Sequence, residues 1–400
     1  TRKAAREHIA ELKARGGTNI NEALLMSLDM MPTDGDRPFM VVFITDGEPT
    51  IGDTTDPDQI LKNVKGKNTR NARVFSLGVG YDINAKLLDR IAEENRGTRE
   101  YVTPDENMEV KVSNFYEKIS SPVLSDLALK FEGLETYDVY PKQLPDLFKG
   151  SQLVVFGRYK GDGAKAIRLS GSVNGVKREF VYETTFPAEV KSNEFMPRLW
   201  ATAKVAYLLD QIRLHGEQKE VKDEVIALSK QFGIMTPYTS WLVVEDLERR
   251  RADRNAPPAS PAEGAMRNLG GEAEEHDAMK AAEDGFEQAG GAGGVAASQS
   301  LGRMKEDTGK GYFFGDKDEK KRQMAGVDRI MKVVADKTFY LADGLWADST
   351  FKAGVETKKV KYMSDEYFDL LSTVTGIGKY LALGNRVIVV IDGTAWEVTE

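Results

Sequence analysis

The sequence contains no cysteine, which excludes disulfides and thiolate metal sites. It also lacks a basic surplus. Lys and Arg number 55 against 63 Asp and Glu, for a net charge of −8, so the electrostatic footprint of a nucleic-acid binder is missing and no such partner is expected. Long apolar runs are absent. Residues 41–44 and 387–391 are among the longest, and they are strand-length, far too short to cross a bilayer. The histidines, His8, His215 and His276, are scattered, and solvated or packed roles suit them better than ligation. Catalytic motifs are missing as well: there is no His-Glu-x-x-His, no Gly-x-Ser-x-Gly and no phosphate-binding Gly-x4-Gly-Lys. Gly78-Val79-Gly80 follows a strand pattern without the third glycine of a dinucleotide loop and reads as a strand exit. No enzyme is expected. Nor is a secretory leader visible, but the first residue is Thr1, so the start reads as truncated or processed.

What is present suits a multidomain α/β protein. The 400 residues are 41% hydrophobic and 30% charged, enough for two or more cores. Residues 1–122 alternate helix and strand signals. Helical patterns occupy 2–15, 21–30, 58–64, 84–94 and 107–120. Strands are expected at 39–45, 74–79 and 101–102, the first of these as an apolar run covered on both faces. Such alternation predicts a mostly parallel sheet with helices on both faces, a Rossmann-like arrangement. Residues 123–248 change texture. Val-, Tyr- and Phe-rich segments separated by Gly and Asp turns predict an antiparallel β-domain, followed by a helical hairpin over 194–231 and a strand over 240–244. Residues 249–325, with their Pro, Gly and Ala content, read as a disordered linker. Residues 326–400 recover patterning and predict a separate small α+β module with hairpins through Asp343-Gly344 and Asp392-Gly393. Arg249-Arg250-Arg251 with Arg254, and Lys320-Lys321-Arg322, read as solvated charge at the linker ends. Trp200, Trp241, Trp346 and Trp396 each fall in a helix or strand pattern and are assigned to cores.

The candidate site lies where the strand ending Thr45-Asp46-Gly47 places a carboxylate at the C-terminal tip of a parallel strand, the edge at which open α/β sheets bind ligands. Thr18, in Gly16-Gly17-Thr18-Asn19, leads into the helix that starts near residue 21. Hydroxyl and carboxylate oxygens are hard donors suited to Mg²⁺, Mn²⁺ or Ca²⁺, and a sparse set suits Mg²⁺ best. Taken singly, Thr18 also reads as a helix-entry residue and Asp46 as a turn former.

The surroundings of the pair carry a resemblance. GGTNINEALLMSL followed by FMVVFITDGEPTIGD resembles the von Willebrand factor type A (VWA) domain. The later segments FYEKISSPVLSDL, YPKQLPDLFKGSQLVVFGRY, RLWATAKVAYLLDQI and GIMTPYTSWLVVED resemble the inter-alpha-trypsin-inhibitor heavy-chain-like branch, over about residues 1–250. The resemblance implies that residues 1–122 are the C-terminal part of a VWA domain preceded, in the complete protein, by a VIT domain and the first VWA strands. It implies a metal-ion-dependent adhesion site in which Thr18 binds Mg²⁺ directly and Asp46 directly or through water. An acidic side chain of a protein or matrix ligand would fill the open coordination position. The Asp-x-Ser-x-Ser element that completes such sites occurs nowhere in this sequence; the nearest echo is Asp348-Ser349-Thr350. This chain is therefore expected to hold Mg²⁺ weakly or not at all, and the 39–46 strand is expected to expose a bare, aggregation-prone edge. Thr236-Pro237-Tyr238-Thr239-Ser240 is a signature of the same branch and reads as a rigid turn feeding a strand. The function implied is a non-enzymatic, extracytoplasmic adhesion scaffold. The alternatives are a cytoplasmic VWA partner of a MoxR- or chelatase-type ATPase, against which the 140–159 and 233–246 motifs argue, and a hydrolase built on Asp343, Asp348, Asp365 and Asp392, which form no nucleophile–base set.

Overall fold

A computed structural model describes residues 2–13, 16–33, 38–173, 175–190, 193–239, 284–306, 331–342, 344–352 and 355–400. Its contacts divide the chain into two units, one built mainly from residues 1–121 and the other mainly from 122–400.

The first unit holds a three-stranded sheet in the order β1 (Met40–Thr45), β2 (Arg73–Val79), β3 (Arg99–Val102), all parallel. Around it stand α2 (Ile20–Asp29), α3 (Pro57–Lys67), α4 (Ala85–Glu94) and α5 (Met108–Ile119), after an N-terminal α1 (Arg2–Glu11) that buries nothing. Four of these helices begin with a side-chain cap: Asn19, Asp56, Asn84 and Asn107 each accept a bond from the N–H three residues on, satisfying a donor that the helix itself cannot. Strand β2 is buried almost end to end, as a central parallel strand must be. Strand β1 is not. Val41 and Thr45 are buried, whereas Val42 and Ile44, on the other face, are 47% and 55% exposed. The expectation of a strand covered on both faces is thus corrected: β1 pairs only with β2 among the described residues, and one of its faces lies open.

Within the second unit, β4 (Pro122–Phe131), β6 (Leu147–Phe148), β8 (Gly163–Val173) and β9 (Val176–Phe186) form a sheet in the order β6-β4-β8-β9, with β4 antiparallel to both β6 and β8. Strands β5 (Glu135–Tyr140) and β7 (Phe156–Lys160) make a separate antiparallel pair. Helix α6 (Met196–His215) is the centre of this unit. Its Trp200, Val205, Leu209 and Ile212 pack with Val225 of α7 (Lys219–Phe232) and with Tyr140. Lys204 on α6 bonds both Asp138 of β5, at 2.9 Å, and Glu224 of α7, at 2.7 Å. Burial alone would lower the Lys204 pKa, but these two partners outweigh it and hold the ammonium charged.

Residues 284–306 overturn part of the linker expectation. Gly291–Glu306 form a helix, α8, and its Val295, Ala297, Leu301 and Met304 are buried, the last three in the α6–α7 core. Lys305 pairs with the buried Asp210, and the Arg213 guanidinium donates to the Gly294 carbonyl at 3.2 Å. Glycine and alanine concealed this helix in composition. Its stripe of Val295, Ser298, Leu301 and Met304 has helical spacing and finds a partner surface. The rest of the expected linker, with its basic runs and His276, lies outside the described residues.

The C-terminal module is a six-stranded mixed sheet in the order β10 (Met331–Val334), β11 (Lys337–Ala342), β12 (Leu345–Asp348), β14 (Val387–Ile391), β15 (Thr394–Thr399), β13 (Lys358–Lys361), with α9 (Asp365–Thr373) and α10 (Gly378–Leu381). Trp346, Phe339, Tyr380, Val387 and Val389 form its core, with Trp396 packed against it. It was expected to be separate, but it docks on α7: Tyr340 Oη donates to the Lys230 carbonyl at 2.9 Å and Ser349 Oγ to that of Gln231 at 3.2 Å. The Thr236–Ser240 motif also differs from expectation. Thr236 and Thr239 exchange backbone-to-hydroxyl bonds of 2.8 and 3.2 Å and Pro237–Thr239 turn helically, so the motif opens a helical turn. Trp241 and the strand expected at 240–244 lie outside the described residues.

Candidate functional site

Two loops of the first unit meet at the C-terminal end of β1. One, residues 16–19, enters α2; the other, residues 46–56, leaves β1 for α3. They are joined by a reciprocal pair: the Thr18 N–H donates to Thr50 Oγ1 at 2.8 Å, and the Thr18 carbonyl accepts from the Thr50 N–H at 2.9 Å. Gly17 lets the loops touch, since a Cβ there would lie 2.5 Å from Thr50 Oγ1. At the strand tip, Thr45 Oγ1 donates to the Gly47 carbonyl at 3.0 Å and accepts from its N–H at 3.3 Å, closing a tight turn that turns Asp46 outward to solvent.

This closure sets the Thr18 hydroxyl beside the turn that carries Asp46. A Cβ on residue 47 would lie 2.8 Å from Thr18 Oγ1, so the Thr18 hydroxyl abuts the residue that follows Asp46. Thr18 is fixed through its backbone, and its hydroxyl makes no hydrogen bond among the described residues. The Asp46 carboxylate is exposed and unpaired there as well. Both oxygens are hard donors with free lone pairs, which fits a hydrated divalent cation. No three His, Cys, Asp or Glu side chains among the described residues cluster as a metal site would require. Thr18 and Asp46 offer one hydroxyl and one carboxylate, each of which could serve as a ligand.

A carboxylate that the sequence reading missed organises the rim. Glu22, at the third position of α2, also reaches across to the second loop. Its Oε1 accepts from Asn21 Nδ2 at 2.6 Å and from the Asp53 N–H at 3.1 Å, binding the second loop a second time. Gly52, at φ +120°, makes room for it, since a Cβ there would sit 2.2 Å from Glu22 Oε2. Those hydrogen bonds, Asn21's first, hold the Glu22 carboxyl below its usual value against the opposing effect of burial. Its Oε2 is buried with no hydrogen-bond partner. The signal was in the sequence: Asn19-x-x-Glu22 is a capping-box pattern, in which the glutamate usually reaches back to the cap.

Comparisons with known proteins find similarity over the first unit and part of the region that follows it. The family model described as von Willebrand factor type A domain matches residues 1–101. The human inter-alpha-trypsin inhibitor heavy chain H4 is 27% identical over 283 residues, covering 66% of this chain and 30% of that protein. The pig heavy chain H2 is 27% identical over 274 residues, covering 64% of this chain and 29% of that protein. This chain thus spans less than a third of the length of these relatives. Among solved structures, a von Willebrand factor type A protein from Catenulispora acidiphila aligns over 57% of this chain and 63% of its own at 17% identity, with a TM-score of 0.37. Residues 1–101 thus match the von Willebrand factor type A domain model, and about two thirds of the chain is similar to the inter-alpha-trypsin inhibitor heavy chains.

Proposed function

We propose that this chain is part of a non-enzymatic, extracytoplasmic adhesion scaffold that engages a protein or matrix partner through a bridging Mg²⁺. The observation that supports it most directly is the closure of two loops by Thr18 and Thr50, which leaves the Thr18 hydroxyl and the Asp46 carboxylate free at the tip of a parallel strand. Thr18 and Asp46 would hold the metal, and the metal would supply an open position for an acidic side chain of the partner. Extracytoplasmic placement follows the similarity to the heavy chains. No described helix is long and apolar enough to cross a membrane.

With only these two donors identified among the described residues, the chain is expected to hold Mg²⁺ more weakly than about 1 mM. Paramagnetic Mn²⁺ reads such weak binding. In amide spectra, the Thr18 and Gly47 signals should broaden first as Mn²⁺ is added, and Asp46→Ala should remove the effect. Uniform broadening, or broadening that survives Asp46→Ala, would refute the metal role.

A further inference from the structure

The sheet of the second unit ends in an uncovered strand. In the order β6-β4-β8-β9, β9 is the last, and no further strand pairs with it among the described residues. Its residues 177–186 belong wholly to this unit. An outer strand carries a row of backbone N–H and carbonyl groups that its own sheet leaves unused, a template for pairing with another chain. Folded proteins blunt such edges by keeping them short or by placing proline there. Strand β9 runs for 11 residues, and residues 177–186 contain neither proline nor glycine. Every residue from Lys177 to Thr185 is exposed, including Phe180, Val181 and Tyr182 at 41%, 48% and 54%. Such side chains favour strands because they pack against cross-strand neighbours, and the outer side of β9 offers them none among the described residues.

The order of charges selects the partner. Along β9 the basic residues, Lys177 and Arg178, come first and the acidic ones, Glu179 and Glu183, follow. Glu179 is already held by Arg168 at 2.8 Å. Lys177, Arg178 and Glu183 make no side-chain ion pair among the described residues. We propose that the β9 edge is a homodimer interface, in which a second copy of this chain lays its own β9 antiparallel to the first, with Phe180 opposite its counterpart. Lys177 then opposes Glu183 twice, once from each copy. Arg178 opposes Tyr182, and Glu179 opposes Val181. Opposed residues share a face of the sheet, so each pair can touch. The alternatives clash. A parallel, in-register pairing sets Lys177 against Lys177 and Glu183 against Glu183. Sliding the antiparallel pair by two residues sets Glu179 against Glu183 in one direction and against itself in the other. A slide of one residue sets outward-pointing backbone groups against inward-pointing ones. The interface is one strand from each copy, small beside the roughly 1,600 Å² of a standard stable complex, so the association is weak and concentration-dependent.

The test uses the full chain. Sedimentation velocity over a series of concentrations should show a reversible monomer–dimer equilibrium; a chain that stays monomeric at the highest concentration overturns the interface. Lys177→Glu and Glu183→Lys, each checked for unchanged far-ultraviolet circular dichroism, should each weaken the dimer about tenfold, because both ion pairs become like-charged. The double variant exchanges the charges and should return to within about twofold of the parent; a double variant weaker than either single one overturns the register. The lack of native cysteine gives a second readout. Opposed Cα atoms of an antiparallel pair lie about 4.5–5.5 Å apart, within reach of a disulfide. Under mild oxidant Phe180→Cys should cross-link to itself. Tyr182→Cys alone should not, but it should cross-link to Arg178→Cys when the two chains are mixed. Equal cross-linking of Phe180→Cys and Tyr182→Cys, each alone, would mean random contact and overturn the proposal.

Discussion

Thr18 is positioned by its backbone, and that division of labour is what frees its hydroxyl. Thr50→Val removes the acceptor of the Thr18 N–H but keeps the return bond from the Thr50 N–H. It should cost about 0.5–1.5 kcal/mol, measured by urea unfolding of the first unit, and weaken the Mn²⁺ response at Thr18. Gly47→Ala acts on the same hydroxyl from the other side, since its methyl would meet Thr18 Oγ1 at 2.8 Å. The Mn²⁺ response should fall with little change in global stability. Glu22 adds a pH dependence of definite sign. Its folded pKa lies below the unfolded 4.5, so its contribution is complete above that value and is lost as pH falls through the lower folded one. Exchange at the Asp53 amide should therefore show a local opening in acid that Glu22→Gln abolishes; an identical acid profile in that variant would refute the coupling. Thr18 and Asp46 were legible because residue type and strand-tip position both pointed to them. Glu22 was legible only as a capping-box residue; its bond to the second loop, like the Thr18–Thr50 pair, spans some thirty residues, a separation that no local pattern encodes.

Elements were legible in proportion to how far their own periodicity decides them. The α2–α5 helices and β1–β3 strands repeat apolar residues at their proper spacing and carry caps, and they fall where expected to within a few residues. Helix α8 was hidden because small residues dominate it and its stability comes from the α6–α7 surface. Leu301 is fully buried in that contact. Leu301→Ala should cost about 2–5 kcal/mol in urea unfolding of the second unit. It should also raise proteolytic sensitivity within 291–306; a change below about 1 kcal/mol would mean that α8 is not docked in solution. Strand β1 presents the opposite case. Its apolar run suggested burial on both faces, yet burial depends on what flanks it, and Val42 and Ile44 face outward. Ile44→Lys, on that open face, should reduce self-association in light scattering without loss of stability.

At the scale of the molecule, the net charge of −8 sets a condition on the proposed partner. An acidic ligand approaches against the long-range field of an acidic protein, and only a bound cation reverses the sign locally. These two effects have different ranges. Repulsion from the whole surface acts over the Debye length, about 30 Å at 0.01 M salt and about 10 Å at 0.1 M. The metal contact acts over a single coordination bond. Raising ionic strength across this interval should therefore remove the repulsion while leaving most of the contact. For the chain with Mn²⁺ present, association with poly-L-glutamate should become faster between 0.01 and 0.1 M salt, by stopped-flow scattering. A basic docking surface would give the reverse, because steering between opposite charges weakens as salt is added. A rate that falls with salt would place the partner on a local cluster of Lys and Arg, away from Thr18 and Asp46, and would refute the metal bridge as the docking contact.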